Sequence, residues 1–532
     1  MSQQQILLII ILSYFALLLG VAFYTARGSN NESFFVGNRS SKWWLVAFGM
    51  IGTSLSGMTF ISVPGTVGAG AFGYFQVTIG YWLGYFIVAY VLLPVYYKMQ
   101  LTSIYTYLDK RLGSNAHKTG SFFFILSRTL GATLRLYLVI KVLELFVLKD
   151  LGISFEVTSF VILGLILLYT FKGGVKTIVW TDTLQTTFML LGLLISLFYI
   201  SGQLGFSIPE AWNAVAKNGM TKIFATDPMP DNFFLKKILG GAFITIAMTG
   251  LDQEMMQKNI SVSNLKDSQK NMVVMGTMQM IVVFIFLFLG GVLTMYASQH
   301  GIAAKGDSLF PAIALNSGLP FFITICFVIG LISALFPSAD GALTALTSSF
   351  CIDILGLKMI KKGHKNTNEI VLDAAQEKKT TKTRLVVHIS FAFIFLLCIF
   401  FFRMIDNGSL IDVLLKLAGF TYGPLLGLFA FGILTKRRVM QYAPFFLCLA
   451  SMCLTFLVDL VNNYKYYKFA LSDATLQSLE HLSKSIFGNY KIGVELLIIN
   501  AAITFVLLLI FSRKAVKQNV DLDVREMVNV NS

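Results

Sequence analysis

The chain has 532 residues, of which 56% are hydrophobic and 48 are phenylalanine, with a formal net charge of +15. A mean hydropathy of +0.72 excludes a soluble globular protein, and continuous rather than alternating apolar runs exclude an outer-membrane barrel. The excess Lys and Arg fall between the apolar runs, where they report orientation in a membrane rather than nucleic-acid binding.

Taken in chain order, the apolar runs predict thirteen helical spans, centred near residues 16, 55, 87, 133, 164, 191, 247, 285, 335, 393, 421, 449 and 503. The first, Ile6 to Tyr24, follows Met-Ser-Gln-Gln-Gln. It lacks both a basic leader and a small-residue cleavage site, so it is expected to be a retained helix. The second contains "GTSLSGMTF" (52–60), two glycines and four hydroxyls, residue types that weaken a helix because glycine is costly there and hydroxyls compete for backbone bonds. The seventh contains "AMTGLDQ" (247–253), again with Thr and Gly at mid-span. Paired interrupted helices are the mark of transporters built from inverted repeats. With five helices each, the repeats run from about 43 to 203 and from about 238 to 435, with one helix before them and two after, in a single transmembrane domain over 1–532.

Alternate loops carry most of the basic residues: Arg27, Arg39 and Lys42, then Lys98, Lys110, Arg111 and Lys118, then Lys258, Lys266 and Lys270. The same set continues with a polar segment at about 356–384 holding Lys358, Lys361, Lys362, Lys365, Lys378, Lys379, Lys382 and Arg384, then with Lys436, Arg437 and Arg438, and with Arg513, Lys514 and Lys517. These loops are expected in the cytoplasm, which places the N-terminus outside and the C-terminus inside the plasma (inner) membrane. The intervening segments 204–235 and 462–489 are sparse in lysine.

The five cysteines, Cys326, Cys351, Cys398, Cys448 and Cys453, lie in apolar spans without CxxC spacing, and the five histidines are scattered. No cluster points to a transition metal, and no nucleophile or phosphate-loop motif has its strand-turn-helix context, so no enzyme and no cofactor are expected.

Six stretches carry a family resemblance: "WWLVAFGMIGTSLSGMTFISVPG" (43–65), "LTSIYTYLDKRLG" (101–113), "FKGGVKTIVWTDTLQ" (171–185), "GLDQEMMQKNIS" (250–261), "SALFPSADGALTALTSSFCIDIL" (333–355) and "GPLLGLFAFGIL" (423–434). In this order the chain resembles the sodium:solute symporters, whose members include sodium/glucose, sodium/proline and bacterial sodium/sialic acid transporters. The resemblance implies an all-α polytopic membrane protein of the leucine-transporter (LeuT) type. This is a 5+5 inverted-repeat fold with one extra N-terminal and two extra C-terminal helices, importing a small solute with sodium as the coupling ion.

Matching the family motif residue by residue assigns the shared sodium site to the carbonyls of Gly52 and Leu55 at the first break, opposite Ala334, Pro337 and Ser338. A hard cation takes oxygen ligands, which a broken helix supplies. Family members often have two adjacent hydroxyls where this chain has Pro337 and Ser338, which leaves Ser338 as the hydroxyl ligand. Taken one at a time, these small residues also suit close helix packing; the paired breaks and the family register favour the ion site.

Ionisable residues inside a span are costly, and Asp182, Asp340, Arg128, Arg135, Asp252 and Lys416 ask for a reason. The resemblance to sialic acid transporters implies a second sodium site from Asp182, Pro337, Asp340 and Gly341, with a carboxylate at 340 where they have serine. Two close carboxylates should bind sodium tightly or share a proton, or Arg128 neutralises one of them. Those transporters hold the substrate carboxylate with an arginine at the position of Gly131, with Arg128 and Arg135 each about one turn away, and with Ser56 and Thr59 at the break. This favours an acidic sugar or sialic-acid-like solute as the substrate class, with neutral sugars and other small organic solutes open. Asp252 is expected to support the second break, and Lys416 to snorkel. A proton-coupled symporter of the same fold and a membrane solute sensor stand as alternatives, and the sequence indicates no obligatory protein partner beyond the lipid bilayer.

Overall fold

The computed structural model describes residues 3–27, 34–35, 37–148, 151–316, 318–357, 374–404, 410–467 and 471–514. These residues form nineteen α-helices and one two-stranded antiparallel ribbon, Arg437–Val439 against Ser512–Lys514. The helices are α1 (Gln3–Thr25), α2 (Trp43–Ser54), α3 (Gly57–Gly70), α4 (Tyr74–Ile87), α5 (Leu93–Lys98), α6 (Thr106–Leu112), α7 (Ser114–Leu143), α8 (Phe155–Gln203), α9 (Ile208–Lys217) and α10 (Phe234–Thr245). There follow α11 (Gln253–Ile260), α12 (Leu265–Gln299), α13 (Leu309–Asn316), α14 (Phe321–Ser349), α15 (Ala374–Met404), α16 (Leu410–Leu434), α17 (Ala443–Asn462), α18 (Asp473–Phe487) and α19 (Leu496–Ile510).

Each of the thirteen predicted centres falls within a helix or at a break between two. Among the described residues nine helical stretches are long and apolar enough to cross a bilayer, or ten when the bent pair Phe234–Gly250 and Gln253–Ile260 counts as one span. The remaining apolar helices, such as Leu496–Ile510, are shorter.

The chain divides into two compact units that interleave in sequence. The first comprises Met1–Tyr74, Arg128–Lys222 and Gln253–Ile411. Its core is α8 packed along α14, α2 and α1, where small residues allow close approach: a Cβ at Gly192 would stand 2.8 Å from the Cys326 carbonyl, and one at Gly49 3.2 Å from Asp182 Cβ. Phe60, Phe286, Phe310 and Phe327 form an aromatic cluster around α3, with Phe60 stacked on Phe310 at 5.3 Å. The second unit comprises Phe75–Ser127, Ile223–Asp252 and Asp412–Ser532. Within it Gly80 and Gly84 bring α4 against α10, and Asn500 on α19 donates to the carbonyls of Gly419 and Phe420 at 3.0 and 2.9 Å.

The spans centred at 164 and 191 both lie within α8, whose two helical parts meet in a kink at Gly174, where a φ of +51° and the close approach of the Phe34 backbone leave no room for a side chain. Two other sequence expectations change. Part of the polar segment at 356–384 is helical: from Ala374 it is the first turns of α15, because Gln, Glu, Lys and Arg are good helix formers that extend an apolar helix into a polar region. Arg384 there stacks over Phe34 at 4.1 Å. The rest of that segment, residues 358–373, lies outside the described residues, as does Lys517. The second of these is Lys258, read as a loop residue and found buried in α11. The 65° bend before α11 turns the polar stretch after it into the first unit, where it is packed.

Candidate ion and solute site

The first break falls at Leu55 and Ser56, inside "GTSLSG". Leu55 (φ −90°, ψ 44°) and Ser56 (φ −36°, ψ 169°) are non-helical, and the ladder is interrupted between the Leu55 N–H bond to the Ile51 carbonyl (2.8 Å) and the Phe60 N–H bond to the Ser56 carbonyl (3.2 Å). A helix end leaves its last carbonyls without intrahelical donors and its successor's first amides without acceptors. Among the described residues, no main-chain or side-chain donor takes the Gly52 or Leu55 carbonyl. Ser56, the residue before α3, is buried, yet its hydroxyl does not cap that helix. Thr59 lies half-buried in the first turn beyond.

Two elements hold this break in place. Thr186 Oγ1 on α8 accepts the Gly52 N–H at 3.1 Å, and a side chain at Gly52 would collide with that hydroxyl and stand 3.5 Å from Pro337 Cγ. Glycine at 52 is therefore what lets α2 lie against Thr186 and Pro337 together. A Cβ at Gly57 would stand 3.6 Å from the Leu335 backbone, so both sides of the break face the middle of α14. There Ala334, Pro337 and Ser338 are buried, and Ser338 Oγ donates to the Leu335 carbonyl at 2.8 Å, which leaves its lone pairs to accept or to ligate. Pro337 has no N–H and so frees a carbonyl one turn earlier in the helix. Tyr14 on α1 supports this region through a 2.6 Å bond to Ser333 Oγ, beside an edge-to-face contact of Phe15 with Phe336.

The buried charges form a second cluster. Asp182 Oδ2 lies 2.7 Å from Lys258 Nζ and accepts from Thr53 Oγ1 at 3.0 Å. Lys258 also lies 3.3 Å from Glu254 Oε1, one turn back on α11, and the other Glu254 oxygen pairs with Arg128 on α7. All four charged side chains are buried. Gly341 faces this cluster: a side chain there would collide with Glu254 Oε1 and stand 3.1 Å from Lys258 Nζ. Asp340 Oδ1 accepts its neighbour's Gly341 N–H at 2.5 Å.

The structure thus brings Gly52 to Pro337 and Gly57 to Leu335, and brings Asp182 and Gly341 to the same ammonium. Arg128 is engaged by Glu254, and Arg135 is buried two turns along the same helix. Sequence reading missed Glu254 and Lys258. Their signal is an acidic and a basic residue one turn apart in "DQEMMQKNIS", the spacing of a helical ion pair.

In the second unit, the break after Gly250 is closed by tyrosines. Tyr96 donates to the Gly250 carbonyl and Tyr105 to the Leu251 carbonyl, both at 2.8 Å, and Tyr422 donates to Asp252 Oδ2 at 2.9 Å. Asp252 supports the break, as its position in the sequence indicates. Lys416, expected to snorkel, pairs with Asp459 near the end of α17 at 2.8 Å beneath the rings of Tyr466 and Tyr467, at 4.0 and 4.8 Å, so a carboxylate and aromatic faces meet its ammonium.

A model of the sodium:solute symporter family matches residues 34–441. The sodium/sialic acid symporter SiaT of Proteus mirabilis is 26% identical over 439 residues, covering 79% of this chain and 83% of that protein. The sodium/sialic acid symporter NanT of Aliivibrio fischeri is 24% identical over 447 residues, covering 81% and 83%. Among solved structures, a substrate-bound, outward-open Na+-coupled sialic acid symporter superposes with a TM-score of 0.75 at 19% identity, over 96% of this chain and 99% of that one.

Proposed function

This chain belongs to the sodium:solute symporter family, and on that premise we propose that it imports a small acidic solute, with sialic acids and related sugar acids first among the classes, by alternating access around the break in its first core helix. It is a multi-pass membrane protein of the LeuT-type 5+5 fold and a sodium-coupled symporter, not an enzyme. The ion is held by the carbonyls of Gly52 and Leu55 with oxygens of Ala334, Pro337 and Ser338. Ser56, Thr59 and Arg135 meet the carboxylate of the solute, since arginine and unpaired helix amides both favour an anion.

One observation carries this reading. Of two broken helices in the same chain, the second has its freed carbonyls taken by tyrosine hydroxyls, whereas those of Gly52 and Leu55 are taken by no donor among the described residues. Buried carbonyls without donors cost free energy unless something occupies them, and a desolvated cation does so. The repeats at about 43–203 and 238–435 gain support from the same pair, because each break lies about a dozen residues into its repeat. The names of the relatives support the substrate class.

The test is uptake of radiolabelled N-acetylneuraminic acid into proteoliposomes under an imposed sodium gradient, with a neutral hexose as competitor and a proton gradient without sodium as the second arm. Sodium-driven uptake resistant to the hexose is expected. Uptake driven by protons alone favours the proton-coupled alternative, and binding without uptake favours the sensor. Labelling of single cysteines placed in 204–235 and in 358–384 checks the orientation, with reagent from outside expected to reach the first only.

A further inference from the structure

We propose that Lys258 is a resident cation that takes the place of a second sodium ion, so that this chain binds one sodium per transport cycle. The inference rests on the sodium-symport reading and concerns the pocket beside Asp182 rather than the break itself.

The ammonium of Lys258 sits among three oxygens: Asp182 Oδ2 at 2.7 Å, Thr53 Oγ1 at 2.7 Å and Glu254 Oε1 at 3.3 Å. A carboxylate, a hydroxyl and a second carboxylate are the ligand types a hard cation takes. Here the cation is covalently part of the chain, reaching in from α11. Its side chain is 3% exposed, so the charge is desolvated and its partners are fixed. A lysine buried to this degree without partners would be strongly destabilising, and its three oxygens are what make the position tenable.

Charge bookkeeping supports one sodium. The charges joined to Lys258 are three carboxylates, Asp182, Glu254 and Asp340, and the guanidinium of Arg128, which pairs with Glu254; with Lys258 itself that makes two cations. The net charge of this set is about −1, which a single sodium ion neutralises, whereas a second would leave an uncompensated buried positive charge. Asp182 keeps one oxygen, Oδ1, without a partner, so the carboxylate is not saturated. What fills the pocket is the ammonium, and Thr53 ties the pocket to the helix that ends at the ion site: Thr53 is the residue next to Gly52. Neutralising Lys258 while keeping its length takes the set to about −2, and the vacated oxygens then suit a second sodium ion. Lys258→Arg keeps the charge. Lys258→Met combined with Asp182→Asn removes one charge of each sign and returns the set to about −1.

The experiment counts sodium bound at equilibrium, with radiolabelled sodium and full-length purified protein in detergent. The wild type is expected to bind one ion per chain, Lys258→Arg one, Lys258→Met two, a twofold rise, and the double variant Lys258→Met/Asp182→Asn one. A wild type that binds two ions overturns the proposal, as does a folded Lys258→Met that binds one. If Lys258→Met alone is not recovered folded, the double variant decides: one ion at unchanged affinity supports a self-cancelling pair, and loss of all sodium binding shows that Asp182 holds the coupling ion and overturns it. A wild type that binds no sodium overturns the symport reading itself, a result distinct from any of these.

Discussion

Ser338 was legible as the surviving hydroxyl beside Pro337, and the structure gives it a bond that spends its proton within α14 and leaves its lone pairs. Ser338→Ala removes one oxygen from the proposed ion shell. The loss of one such contact is about 1 to 3 kcal/mol, so half-maximal sodium in uptake should rise by roughly five- to 150-fold. An unchanged sodium dependence in a folded variant removes Ser338 from the site. The two arginines were indistinguishable in sequence, both seven residues apart on one helical face. Arg128 pairs with Glu254, which sequence reading placed in no role because the pairing crosses from α7 to α11. Arg128→Gln leaves Glu254 with one of its two cations, and breaking a buried pair costs about 3 to 5 kcal/mol, so it should reduce the yield of folded protein. Arg135→Gln should instead fold and weaken uptake of N-acetylneuraminic acid far more than it weakens sodium binding. Equal losses of both in Arg135→Gln would count against a carboxylate contact there.

At the scale of helices, both breaks were readable because glycine and hydroxyls in the middle of an apolar run are poor helix formers, and the chain indeed departs from helix at Leu55–Ser56 and at Leu251. Their different chemistry was not readable. It depends on tyrosines 146 to 154 residues away in sequence, which no local pattern connects to "TGLDQ". The turn at Gly174 was hidden for a related reason: two glycines in "FKGGVKT" fit a turn, a kink or plain packing, and only the approach of the Phe34 backbone selects the positive φ. The tyrosines give an element-scale prediction. Tyr96→Phe combined with Tyr105→Phe leaves two buried carbonyls without donors, at about 1 to 3 kcal/mol each. The melting temperature should fall while half-maximal sodium stays unchanged, because the proposed ion shell lies at the other break. A double variant that melts normally would show that water or another group satisfies this break.

For the whole molecule, the apolar runs gave the class because a bilayer demands a fixed length of apolar helix; of the thirteen expected spans, nine or ten among the described residues are long and apolar enough to cross one. Lys258 shows where that reading fails. Counting positive charges between spans assumes that a lysine near an apolar run lies outside the membrane, and a lysine with three buried oxygen partners breaks the assumption. The interleaving of the two compact units was equally out of reach, since the chain enters and leaves each of them within continuous helices such as α7. One consequence of the proposed ion site is global. An ion that binds the folded chain and not the unfolded one stabilises it by RT ln(1 + [Na+]/Kd), about 2.7 kcal/mol at a hundred times Kd. At the proposed site sodium would join the α2–α3 break to α14, two parts of the first unit that lie far apart in sequence, so its stabilisation should appear in global unfolding rather than in local fraying. Thermal unfolding of the purified protein should therefore shift upward with sodium chloride and stay nearly flat with potassium chloride at equal ionic strength. In Ser338→Ala the same shift should require roughly five- to 150-fold more sodium, in step with its transport defect. Potassium that stabilises as well as sodium would reduce the effect to ionic strength and leave the break without a selective ion.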